Sequence, residues 1–140
     1  MTSEKDQLVM QTAKSVYDFM GTVGVDWDEA FYRYVEYNPS HRSSQLTFRK
    51  ARELSFTDGD DGEERQFIRE IEGFMKDLNS LIEQDCNERP IVIVVCVSSE
   101  GDYKLSFDYK SPKVLDTSIM ALGSKNSFFQ NNEIDIPDFD

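Results

Sequence analysis

One histidine, two cysteines, and no apolar run longer than seven residues leave this 140-residue chain without the material for several kinds of chemistry. His41 cannot by itself make a multi-histidine metal site. Cys86 and Cys96 form neither a CxxC pair nor a zinc framework, and the expectation is two reduced thiols buried as small hydrophobes. The longest apolar run, Ile91–Val97, falls far short of the roughly 20 residues that span a membrane. Met1–Asp6 lacks the positive start of a signal peptide, so a cytoplasmic protein is expected. Bases are scarce: 15 Lys and Arg stand against 27 Asp and Glu, a net charge of −12. That balance argues against binding to nucleic acid or to anionic membranes, both of which rest on Lys and Arg. Aromatics are not scarce, with ten Phe, six Tyr and one Trp, so the chain can build a core where an acidic, aromatic-poor chain could not. Its length is that of a single domain.

What is present is ordered as helix, strands, helix, strands. Val9, Ala13, Val16 and Met20 share one face of a helix over Lys5–Met20, closed by Gly21 and Gly24. Trp27 sits in a short acidic turn, Val25–Glu29. Phe31–Tyr37 reads as a strand with apolar mass on both faces, covered at least partly on both sides, and Gln45–Lys50 as its hairpin partner. Glu53–Phe56 adds a short third strand. Phe67, Ile71, Phe74, Leu78 and Leu81 recur at helical spacing over Glu63–Cys86, with Ile68, Met75 and Ile82 beside them. Ile91–Val97 is the continuous apolar run of a strand buried on both faces. Ser98–Asp102 is a turn, and Tyr103–Lys110 alternates strictly, which makes a hairpin. Val114–Leu122 suits a short helix, and residues 113–140 form a weakly patterned acidic segment. The fold class is therefore α+β: a mostly antiparallel sheet of four to five strands, with an N-terminal helix and a long central helix packed on it.

Catalytic motifs do not emerge. Neither GxxxxGK[ST] nor GxGxxG occurs. Asp58-Gly59-Asp60-Asp61-Gly62 fits neither register of an EF-hand loop. His41 falls in the polar stretch Asn38–Ser44, where a solvated turn residue is expected. No cofactor, metal or enzymatic activity is expected. A ligand site on the tyrosines Tyr32, Tyr34, Tyr103 and Tyr109 is one alternative; the other is that they pack the core and its rim.

The distinctive feature is charge clustering. Acids gather at Asp58, Asp60, Asp61, Glu63 and Glu64, around Trp27 at Asp26, Asp28 and Glu29, and in the tail at Glu133, Asp135, Asp138 and Asp140. Arg42, Arg49, Lys50 and Arg52 form one basic segment between them. An acidic surface complementary to a basic partner speeds encounter with it.

The order of elements resembles the YezG-like immunity proteins. The resemblance lies in the N-terminal helix, Asp26-Trp27-Asp28-Glu29 leading into Phe31–Tyr37, the long helix, and Ile91–Val97 leading into Gly101-Asp102-Tyr103-Lys104-Leu105-Ser106-Phe107-Asp108-Tyr109-Lys110. It covers residues 5–110. It implies a small cytoplasmic protein that neutralises a toxin, often a nuclease, and it carries no catalytic residues. The expected partner is a cognate basic toxin, met by Asp58, Asp60, Asp61, Glu63 and Glu64, and then by Asp135, Asp138 and Asp140. The chain is expected to be a monomer or weak homodimer, with Phe31–Tyr37 able to pair with a second chain if it lies at a sheet edge. An acidic adaptor or nucleic-acid mimic is the alternative function.

Overall fold

The periodicity of residues 4–23 makes α1, Glu4–Val23, in a computed structural model that describes residues 4–24, 26–38, 40–50, 53–56, 62–115 and 117. Thr12, Ala13, Val16 and Met20 are its buried face. The helix runs through Gly21 and ends before Gly24, whose φ of 79° suits glycine best. The strands are β1 (Glu29–Asn38), β2 (His41–Lys50), β3 (Glu53–Phe56), β4 (Val92–Ser98) and β5 (Tyr103–Asp108), and the long helix α2 is Gly62–Cys86.

All pairings are antiparallel, in one five-stranded sheet of order β3-β2-β1-β4-β5. The α+β class, the N-terminal helix and the long helix are thus as the sequence implies. β1 is the central strand, so it has no edge to offer a second chain. The sheet edges are β3 and β5. β2 starts four residues earlier than its apolar pattern, and His41 is its exposed first residue rather than part of the turn. The His41 ring Nδ1 lies 3.0 Å from Asn38 Oδ1.

The two faces of the sheet are covered differently. Ala30, Tyr32 and Tyr34 of β1, Leu46 and Phe48 of β2, and Ile93, Val95 and Val97 of β4 join the core with both helices. The buried face of α2 runs through Phe67, Ile71, Met75, Leu78 and Ile82, and Phe74 and Leu81 flank it half-buried. On the opposite face Val35, Val92 and Val94 pack with Ile91, Val114 and Leu115. Arg33 fastens that cover. Its guanidinium donates to the carbonyls of Pro112 (2.6 Å), Val114 (2.8 Å) and Leu115 (3.0 Å), and Thr47 Oγ1 donates to the Thr117 carbonyl at 3.0 Å. β1 is therefore covered on both sides, as its two-faced composition implies. Val114 and Leu115 lie in turns, Leu115 with a φ of 55°, and not in the expected helix, whose remaining residues, Thr117 apart, lie outside those described.

Both thiols are free, and neither is fully buried. Cys86 is exposed because α2 ends there, and Cys96 is half-buried on β4.

An acidic groove between the helices

α1 and α2 pack side by side, with Lys5 near the start of one meeting Asp85 near the end of the other at 3.1 Å. The helices therefore run antiparallel, and the first turn of α1 shares one end of the layer with the last turns of α2. Between them lies a groove of about 460 Å³ lined by Glu4, Gln7, Leu8 and Gln11 from α1 and Asp77, Ser80 and Leu81 from α2. Leu8 and Leu81 form its apolar floor. Glu4 and Asp77 stand exposed on its two walls.

Charge at this end is one-sided. Residues 4–11 and 76–89 carry the acids Glu4, Asp6, Asp77, Glu83, Asp85 and Glu88 against the bases Lys5, Lys76 and Arg89. Lys5 and Arg89 are already engaged. Lys5 pairs with Asp85, which holds its ammonium above the usual lysine range. Arg89 donates to Glu36 at 2.7 Å and lies 3.8 Å from Glu83. The last turn of α2 holds no base, although the carbonyl end of a helix favours positive charge. Glu83 and Asp85 thus sit where the helix dipole repels them.

Behind the groove, Glu36 is buried in a fully polar nest. Tyr34 Oη donates to it at 2.8 Å, Asn79 Nδ2 at 3.2 Å and Arg89 Nε at 2.7 Å. Burial opposes ionisation, but the donors outweigh it and hold the Glu36 carboxyl below the usual range. Tyr32 Oη lies 2.6 Å from Ser44 Oγ, which donates to Glu72 at 2.7 Å. Burial, first of all, pushes both phenols up. Tyr32 and Tyr34 are therefore packed, hydrogen-bonded core residues. Tyr103 and Tyr109 lie apart from them, exposed and half-buried respectively, so the four tyrosines do not share one open face.

The charge clusters seen in the sequence largely cancel where they are described. Glu29 faces Arg49 across β1 and β2, and their side chains pair. Asp28 lies 3.8 Å from Arg49 and 3.4 Å from Lys50. Arg42 lies 3.6 Å from Glu72. The acids around Trp27 and the basic segment are thus largely one another's partners. Cys96 Sγ donates to Glu29 at 3.2 Å, and burial followed by that carboxylate raises its thiol to about 12. It stays protonated at neutral pH and is a poor nucleophile.

Of the residues expected to bind a partner, Glu64 is buried near the start of α2, 7% exposed, and Glu63 precedes it in the same helix. Asp58, Asp60, Asp61, Asp135, Asp138 and Asp140 lie outside the described residues. Glu4, Asp6, Asp77, Glu83, Asp85 and Glu88 were not singled out by the sequence, because they are scattered over two helices and meet only when those helices pack antiparallel. Acids in the base-free last turn of a long helix could have pointed to Glu83 and Asp85, but not to the other four.

A second groove, apolar and about 400 Å³, lies on the other flank of α1. Met10, Ala13, Lys14 and Tyr17 line it from α1, and Val97, Gly101 and Tyr103 from β4, the turn and β5. Tyr17 meets Trp27 edge to face, with ring centroids 5.9 Å apart.

No family model and no curated protein matches the chain. Among the described residues, no helix is long and apolar enough to cross a membrane.

Proposed function

We propose that this protein is an immunity protein that captures a cognate basic toxin, with a cationic nuclease domain as the partner that best suits it. The observation that carries the reading is the groove between α1 and α2. Glu4 and Asp77 line it beside Leu8 and Leu81, Asp6, Glu83, Asp85 and Glu88 gather at the same end of the helix pair, and the two bases at that end, Lys5 and Arg89, are already bound. Acids at the carbonyl end of α2 gain nothing from the helix dipole and lean on Lys5 and Arg89 instead, which suits a surface kept negative for a partner. The toxin's Lys and Arg pair with Glu4, Asp77, Glu83 and Glu88, while an apolar side chain enters between Leu8 and Leu81. The result is occlusion of the surface that the toxin uses to hold phosphate. The acids at 58–64 and in the tail extend the same negative field. The protein acts in the cytoplasm and by binding alone.

The test is co-expression with the protein encoded immediately upstream. Co-purification and survival of the host are expected. Glu4→Lys together with Asp77→Lys should slow association about tenfold at roughly 50 mM salt, with the difference shrinking at about 0.5 M salt as the field is screened. Survival without complex formation, or association indifferent to both substitutions and salt, would refute the reading. Capture of many unrelated basic proteins would instead mark a nucleic-acid mimic.

A further inference from the structure

β5 is a sheet edge, and among the described residues no strand pairs with its outer side. The hydrogen-bond phase of the sheet determines which of its backbone groups point outward. Glu36 N–H donates to the Ile91 carbonyl, and Ser98 N–H to the Asp102 carbonyl. By the alternation of an antiparallel ladder, the even-numbered residues of β5 turn their backbone groups toward β4. Leu105 and Phe107 therefore present theirs to the open edge. Their side chains lie on the helix face with Tyr103, opposite Val95, Ile93 and Val97. Tyr103 is 46% exposed and Phe107 37%, beside an apolar groove where Met10 and Tyr17 are also exposed.

The other face of β5 carries a charge order that reverses about its middle. Lys104, Ser106 and Asp108 lie on it, with Asp102 just before the strand and Lys110 just after it, in the turn where Asp108 Oδ1 accepts from the N–H groups of Lys110 and Ser111. We propose that β5 is the seam of a homodimer, pairing antiparallel with β5 of a second copy about a two-fold axis at Ser106. In that register Lys104 faces the second copy's Asp108, a contact that occurs twice, and the flanking Asp102 and Lys110 carry the same complementary order beyond the strand ends. Leu105 and Phe107 form the hydrogen-bonded pair, as the outward phase of their backbone requires. The neighbouring registers are repulsive. Centring on Leu105 sets Asp102 against Asp108, centring on Phe107 sets Lys104 against Lys110, and centring on Lys104 sets that lysine against itself. Of these four alignments charge favours the one centred on Ser106, and centring nearer either end of β5 leaves fewer strand residues paired. The two sheets become one of ten strands, and the exposed aromatics of both copies meet between the two α1 helices and fill the apolar grooves. The seam borders the acidic end, since Gln11 lines both grooves and Tyr109 lies by Lys5 and Glu88, but it needs no partner other than a second copy, and the mass of the isolated chain tests it apart from capture of a toxin.

The test is sedimentation equilibrium on the full chain over about 1–100 μM, where a mass twice the 16.2 kDa of one chain is expected. Lys104→Asp turns two attractive contacts repulsive and should weaken the dimer about tenfold. Adding Asp108→Lys to it should restore the dimer, with Asp108→Asn, which keeps an acceptor for the N–H groups of Lys110 and Ser111, expected to weaken the dimer without changing the circular dichroism. Phe107→Pro removes an outward N–H without touching the β4 ladder, and should give a monomer with unchanged circular dichroism. A monomeric mass throughout, a dimer indifferent to Lys104→Asp and Phe107→Pro, or failure of the charge swap to restore it would overturn the proposal.

Discussion

Glu36 is the clearest case of a single side chain with three obligations. It is buried, it is ionised, and it accepts from Tyr34, Asn79 and Arg89. Removing Arg89 leaves that charge short of its strongest donor. Arg89→Met should destabilise the fold by about 2 kcal/mol, at the low end for a buried pair because the arginine is partly solvated. Urea unfolding at neutral pH measures it. The pH dependence follows from the direction of the shift. The folded carboxyl lies below its unfolded value, so its contribution is present above the unfolded pKa of about 4.3 and fades as pH falls through the folded one. Arg89→Met should flatten that acid limb of the stability profile. Cys96 works in the opposite direction. Its thiol is raised to about 12, so its contribution is complete below the unfolded value and declines as pH rises from about 8.5 toward 12. Cys96→Ala should reduce the alkaline slope in the same measurement.

Elements were legible wherever their own side chains determine them. The spacing in α1, the alternation in β5 and the Val–Ile run of β4 all lie within single segments, and the structure contains each within a few residues. The start of β2 was not legible, because His41–Ser44 are polar and join the sheet only through backbone pairing with β1. The cover over the second face was not legible either, since it depends on Arg33 reaching chain about 80 residues away. Arg33→Met should lose three charge-assisted hydrogen bonds and destabilise by about 2 kcal/mol, with increased proteolysis near residues 112–115 as the accompanying sign. At the end of α2 the expectation is different. Glu83→Gln removes an acid from the carbonyl end but also its 3.8 Å contact with Arg89, so stability should change by less than about 0.5 kcal/mol at low salt, while capture of a basic partner slows. A variant that binds as fast would place the partner elsewhere.

Across the whole molecule, a net charge of −12 means something different once the pairs are placed. Asp28 and Glu29 are balanced by Arg49 and Lys50, so the described surplus is concentrated at the shared end of α1 and α2. This is why the site was hard to see in sequence: clusters of neighbours in the chain found partners in space, and the excess was assembled from separated residues. Like charges crowded at one end repel, so the melting temperature should rise by a few degrees between about 10 mM and 150 mM salt, read by calorimetry. A salt-independent melting temperature would show that the crowding is too solvated to matter. The place of β1 also sets an order of events during folding. Its bond with β2 closes through a two-residue turn, whereas its bond with β4 must wait for α2 and another strand to be made, roughly sixty residues later. On the ribosome the hairpin therefore forms with one ladder of β1 unsatisfied, and Tyr32 and Tyr34 without their roof. The long helix stands between the two halves of that sheet in time as well as in sequence, and the interval before β4 arrives is when the young chain is most exposed to pairing with the wrong strand.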